Sequence, residues 1–195
     1  MFTGIIESVA EVKASTNNKD ILSLKIKTPT NWKLKNGQSI ATDGVCLTVT
    51  EFDENDFTLE LMPETTKRTT FGRAIPKKVN LERAMSPQGL LEGHIVQGHV
   101  DGLSKIIKVE ETPQWRTLRI AYPEDKAGLL VEKGSITIDG ISLTIVEVDK
   151  DWFSVSLIPH TISHTTLGDK TVDDEVNIEY DILSKLIERQ LKLRI

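Results

Sequence analysis

The chain has 195 residues, of which 38% are hydrophobic and 27% charged, with a formal net charge of −5. That length builds one large domain or two small ones with adequate cores, and an acidic balance without a basic stripe argues against a nucleic-acid-binding protein. The opening MFTGIIESVAEVK turns acidic by Glu7, so neither a signal peptide nor a membrane span is expected there. The single cysteine, Cys46, forms no internal disulfide, which suits a cytoplasmic location.

Taken along the chain, the dominant pattern is a repeat. Ser39–Gly72 reads SIATDGVCLTVTEFDENDFTLELMPETTKRTTFG and Ser135–Gly168 reads SITIDGISLTIVEVDKDWFSVSLIPHTISHTTLG, identical at about fifteen of roughly 34 positions. VNLE (Val79–Glu82) faces VNIE (Val176–Glu179), and TGIIES from Thr3 faces QGHVDG from Gln97. Each half spans about 95 residues, a small-domain size, and two copies are too few for a solenoid. SITI, SLTIVEV, FSVSLI and VNIE are short, rich in Val, Ile and Thr, and separated by turn residues, so they read as strands. Even spacing with almost no helical period predicts an all-β architecture, an antiparallel barrel or sandwich in each half. No G-x-G-x-x-G or Walker loop occurs, which argues against a doubly wound nucleotide fold.

Alternation assigns faces. In DGVCLTV, Val45, Leu47 and Val49 point inward, and Gly44, Cys46 and Thr48 outward. In DGISLTI, Ile141, Leu143 and Ile145 point inward, and Gly140, Ser142 and Thr144 outward. The outward set reads equally as solvated surface, since duplication copies bland surfaces too. SPQGLLEG (Ser86–Gly93) reads as a linker. In EGHIVQGHVDG, read as a strand, His94 and His99 face opposite sides, and His99 shares a face with Gln97 and Asp101. A lone histidine there is by default structural, but the counterpart of His99 is Ile5, and that of Cys46 is Ser142. The halves therefore differ where chemistry could reside. His160 and His164 lie four apart, but without a helix or third ligand no zinc site is expected. The chain ends in YDILSKLIERQLKLRI, where Ile182, Leu183, Leu186, Ile187 and Leu191 form an apolar stripe. Asp181 would cap this helix, and Arg189, Lys192 and Arg194 complement its dipole. It either packs on its own barrel or holds subunits together.

MFTGIIE, DGVCLTV, GHIVQGHVDG, GSITIDGISLTI, IPHT and TTLG together resemble the riboflavin synthase family, in order and over essentially the whole chain. The resemblance implies two similar six-stranded antiparallel Greek-key barrels, at 1–93 and 94–180, then a trimerisation helix at 181–195. It implies a homotrimer that converts two molecules of 6,7-dimethyl-8-ribityllumazine into riboflavin and 5-amino-6-ribitylamino-pyrimidinedione, without metal or cofactor. Docking with lumazine synthase is left open. Each barrel would bind one lumazine, with the productive site between the first barrel of one subunit and the second barrel of its neighbour.

Carried over residue by residue, the first pocket would use Gly4, Ile5, Ile6, Cys46, Leu47, Thr48 and the segment Glu60, Leu61, Met62, Pro63, Glu64 and Thr65. The second would use Gly98, His99, Val100, Lys133, Ser142, Leu143, Thr144 and the segment Ser156, Leu157, Ile158, Pro159, His160 and Thr161. Position 160 is His here where other members carry Glu. Phe2 matches the family's N-terminal aromatic beside the joint site. For catalysis, the acidic 7-methyl group of lumazine needs a base and stabilisation of its anion. His99, Ser142 and Thr144 are candidates for that work, while Cys46 and Thr48 would meet the second lumazine. The alternatives are a non-catalytic lumazine- or flavin-binding antenna protein and the flavin-binding barrel of a reductase, although no residues remain for a nicotinamide domain.

Overall fold

The computed structural model describes residues 1–112 and 114–193. Arg194, assigned above to the helix dipole, lies outside them. Strands β1 (Ser8–Asn18), β2 (Ile21–Lys27), β3 (Ser39–Thr42), β4 (Val45–Phe52), β5 (Asp56–Leu61) and β6 (Lys78–Arg83) close into a barrel in the order β1-β2-β5-β4-β3-β6. A helical turn, α1 (Pro63–Arg68), follows β5. The second half repeats this with β7 (Gly102–Glu111), β8 (Arg116–Ala121), β9 (Ser135–Ile138), β10 (Ile141–Val148), β11 (Trp152–Leu157), α2 (Pro159–His164) and β12 (Glu175–Tyr180). Its ring, β7-β8-β11-β10-β9-β12, has the same topology, and every pairing in both is antiparallel. Helix α3 (Ile182–Lys192) closes the chain.

The expected alternation is present. Val45, Leu47 and Val49 line the first core with Leu24, Phe57 and Leu81, while Ile141 and Ile145 join Leu118, Phe153 and Ile178 in the second. Register slips fall at matching places, Val12/Ala14 and Val49/Glu51 in one barrel, Ile106/Lys108 and Ile145/Glu147 in the other. Such bulges bend and twist a strand enough to bring a small sheet round on itself.

The barrels meet across the two Asp-Gly turns. Asp43 and Gly44 have φ of 44° and 79°, and Asp139 and Gly140 45° and 83°. Positive φ at both central residues is the hairpin geometry that Asp-Gly favours. A Cβ on Gly44 would lie 2.7 Å from the Gly140 nitrogen, so glycine here serves close approach as well as conformation. Around this local axis the halves exchange hydrogen bonds. The Asn80 amide donates to the Asp139 carbonyl (2.9 Å) and accepts from the Thr166 N–H (2.8 Å); Asn177 does the same to the Asp43 carbonyl and Thr70 N–H, both at 2.9 Å. Burial, then the charge of Asp139, pushes Asp43 well above the ordinary carboxylate range. Burial also raises Asp139, partly offset by Lys170 at 3.6 Å.

Two local expectations are corrected. His160 and His164 do lie on a helix, α2, with their rings stacked at 4.2 Å. Pro159 at its first turn starts it, as Pro63 starts α1, because a proline nitrogen needs no partner there. Among the described residues no cluster of three or more potential metal ligands occurs. The segment from His94 to Asp101 is not a strand: only Val96 bridges, to Phe2, and Gly98 turns the chain at φ 77°. No helix among the described residues is long and apolar enough to cross a membrane.

Candidate functional site

The outward residues of β4 and β10 lie under segments from the opposite barrel. Gly98 precedes β7 of the second barrel, yet its carbonyl accepts from the Cys46 N–H at 2.8 Å. Gly4 precedes β1 of the first barrel, yet its carbonyl accepts from the Ser142 N–H at 2.7 Å. Side chains follow the backbone. Val100 packs against the first core and Ile6 against the second. A Cβ on Gly98 would sit 2.6 Å from the Cys46 Cβ, and one on Gly4 2.6 Å from the Ser142 Cβ.

The residues assigned to two pockets are thus brought together in crossed combination. Cys46, Leu47 and Thr48 sit with Gly98, His99 and Val100. Ser142, Leu143 and Thr144 sit with Gly4, Ile5 and Ile6. Phe2 is fully buried in a small cluster with Ala41, Val96 and Cys46, tied to Val96 by backbone bonds of 2.7 and 3.2 Å. Thr48, His99 and Thr144 are exposed, and Cys46 and Ser142 are half-buried.

Glu60 is exposed near the end of β5 and Ser156 occupies the same place on β11, where its hydroxyl meets that of Thr117 at 3.0 Å. Leu61 and Leu157 are core residues, so in both segments the inward side chain belongs to packing. Beyond them Met62 and Ile158 are 59% and 61% exposed, and Glu64 and His160 are exposed in the first turns of α1 and α2. Thr65 and Thr161 keep half-buried positions in those turns, and each carbonyl accepts from a threonine hydroxyl four residues on. Lys133 is exposed at φ 67°, its N–H bonded to the Ile145 carbonyl at the end of the β10 pairing. A cleft of 620 Å³ between the barrels, lined by Ser8–Glu11, Lys27–Thr30 and part of α2, contains none of these predicted residues.

Sequence reasoning passes over three groups. His94 Nδ1 lies 2.7 Å from the Ser142 hydroxyl and its Nε2 3.1 Å from that of Thr137. It precedes the repeat, so no counterpart flags it. Burial holds His94 below the usual histidine range, with the Asp181 charge opposing. The unfolded chain therefore takes up this proton more readily, so the contribution of His94 to stability is full above about pH 6.5 and is lost as pH falls toward the lowered value. Between pH 7 and 5 the melting temperature of the protein should fall more steeply than that of His94→Gln. Equal slopes by calorimetry would remove His94 from the titration.

The other two are the last residues of VNLE and VNIE. Buried Glu82 accepts from the Thr3 N–H (2.6 Å), the Thr3 hydroxyl (2.8 Å) and the Gly4 N–H (2.9 Å). Buried Glu179 accepts from the N–H groups of Gln97 (2.7 Å), Gly98 (2.9 Å) and His99 (2.9 Å). Burial raises both carboxyls, and these same bonds hold the rise down.

The lumazine binding domain family matches residues 3–84 and again 97–181, so the chain consists of two tandem lumazine-binding domains. Among solved structures, LumP complexed with riboflavin superposes with a TM-score of 0.86 at 23% identity, covering 92% of this chain and 99% of that one. LumP complexed with 6,7-dimethyl-8-(1'-D-ribityl) lumazine gives 0.82 at 24%, covering 92% and 98%. At such identities the likeness concerns the fold. The riboflavin synthase of Actinobacillus pleuropneumoniae is 45% identical over 98% of this chain and 90% of its own length. That of Bacillus subtilis is 43% identical with the same coverage. The chain belongs to the riboflavin synthase family of enzymes.

Proposed function

We propose that the protein makes riboflavin by four-carbon transfer between two molecules of 6,7-dimethyl-8-ribityllumazine, one held at Cys46, Thr48 and His99, the other at Ser142, Thr144 and Ile5. The observation that carries this reading is a pair of equivalent places with unlike chemistry: a thiol beside a histidine in one, a hydroxyl beside isoleucine in the other. A reaction between two copies of one compound needs two similar pockets that nevertheless treat donor and acceptor differently. Fixing both reactants at attack distance supplies much of the rate without any further group. His99 acts as acid or base toward the lumazine beside Cys46, and the hydroxyls of Ser142 and Thr144 donate to the charge that develops on the second lumazine. Lys133, Thr65 and Thr161 offer polar partners to the ribityl chains.

The lips of both places support completion by a second subunit. Ile5 is 41% exposed, and Met62 and Ile158 also stand open in the single chain. The stripe of α3 is open too, which favours a homotrimer held by this helix. Incubation with the lumazine alone tests the activity: riboflavin should form without added cofactor. Bound, fluorescent lumazine that is never converted would favour the antenna reading.

Cys46→Ser tests the thiol. The second copy carries serine on the same backbone, so a hydroxyl fits and supplies a comparable hydrogen bond, worth about 0.5–1.5 kcal/mol. Turnover should stay within about tenfold of the parent. A loss beyond roughly a thousandfold in a folded protein would instead reveal covalent addition by the thiolate, because an unactivated hydroxyl is a poor nucleophile.

A further inference from the structure

The geometry points to Glu179 and Glu82 as positioning residues with crossed responsibilities: Glu179, in the second barrel, sets the pocket around Cys46 on the first, and Glu82, in the first barrel, sets the pocket around Ser142 on the second. This rests on the reading of those two places as substrate pockets. Each carboxylate is almost fully buried, at 2% and 4% exposure, and each accepts three hydrogen bonds from a segment that leaves its own barrel. Several donors converging on a buried point require an anion. A glutamine of the same shape has one accepting oxygen and turns its NH₂ group toward N–H donors, leaving at least one unpaired.

The held segment in turn forms part of the opposite pocket. Glu179 grips Gln97, Gly98 and His99, and the Gly98 carbonyl then accepts from Cys46. Glu82 grips Thr3 and Gly4, and the Gly4 carbonyl accepts from Ser142. One difference separates the copies. The third donor to Glu179 is the backbone N–H of His99 itself, whereas the third donor to Glu82 is the Thr3 hydroxyl, and the Ile5 N–H turns to that hydroxyl at 3.3 Å. The only ring in either segment capable of proton transfer thus has its backbone fixed directly by a carboxylate. Both are positioning residues, since each buried carboxylate is occupied by the three donors of the segment it holds.

Because Cys46 is the sole cysteine, its alkylation by iodoacetamide reports on the first pocket alone. Glu179→Gln should speed that alkylation by about tenfold or more, as the strap over the thiol loosens, whereas Glu82→Gln, which reaches the surroundings of the thiol only through Phe2 beside Thr3, should speed it by no more than about threefold. Moving the reporter, with Cys46→Ser and Ser142→Cys together, should reverse the dependence. Glu179→Asp, which keeps the charge but shortens the reach, should fall between parent and Glu179→Gln, and it serves if the glutamine variant folds poorly. With lumazine as substrate, Glu179→Gln should lower kcat by about 10–100-fold and move the acid limb of its pH profile, while Glu82→Gln leaves that limb in place. Equal responses of both reporters to either substitution would mean a general loss of structure and overturn the proposal. So would an unchanged thiol rate and pH profile in both Glu179 variants. Crossed thiol rates in a protein that never converts lumazine would sustain the positioning and refute the enzymatic reading instead.

Discussion

His99→Ala is expected to lower turnover by roughly 10²–10⁴, the span typical for removal of a positioned acid or base. The fold should survive, because the bond that fixes residue 99 runs from its backbone N–H to Glu179 and alanine retains it. The ring itself is exposed, so its removal leaves no cavity. Steady-state kinetics with the lumazine, beside a thermal melt, check both halves of the expectation. A variant of near-normal turnover would transfer the acid–base work to another group, with His94, already bonded to Ser142, the first to test.

Removal of Asp181–Ile195 should give a monomer in place of the proposed trimer and cut turnover on the order of a hundredfold, while leaving lumazine binding in place. The helix starts as its sequence suggests, with the Asp181 carboxylate accepting from the Leu183 N–H at 2.9 Å, and Arg189 and Lys192 occupy its last turn. Leu183, Leu186, Ile187 and Leu191 are 54%, 54%, 61% and 57% exposed, far too much apolar surface to be served by its own barrel. It lies against the segment Glu124–Leu129 and is tied to the barrel by Lys185 Nζ to Asp101 at 2.6 Å. Asp101 also accepts from the Tyr180 N–H, a bond that the truncation spares. Sedimentation velocity decides the matter: an intact, active trimer would assign the helix to its own barrel after all.

How much of this was readable in the sequence depends on range. The strands were, because alternation, β-branched residues and Asp-Gly turns are local signals, and a duplicated pattern displays each of them twice. The short helices α1 and α2 were not, since six residues are too few to show a helical period, although Pro63 and Pro159 marked their starts. The strand assigned around His99 failed at Gly98, whose positive φ no alternation count reveals. The crossing of Gly4 and Gly98 was hidden for a deeper reason. When two barrels have nearly the same surface, a segment fits its own barrel and its neighbour almost equally well by residue type, so self-comparison cannot say which it covers. Glu82 and Glu179 stood in the aligned VNLE and VNIE, but a glutamate shared by two copies near a strand end resembles surface until its three donors are located.

The exchange of leading segments also bears on synthesis. Residues near the amino terminus leave the ribosome first, yet the backbone partner of Gly4 is Ser142, and that of Phe2 is Val96. The first barrel can close its own ring, from Ser8 to Arg83, before the second exists. Glu82 can grip its opening strap at once, but Phe2 is covered only after Val96 has emerged, and the Gly4 carbonyl finds its partner only after Ser142. Final docking at one end of the protein is thereby tied to the completion of the other, and a nascent chain that stalls midway presents a closed barrel with an anchored but uncovered strap, its apolar Phe2 still short of a partner.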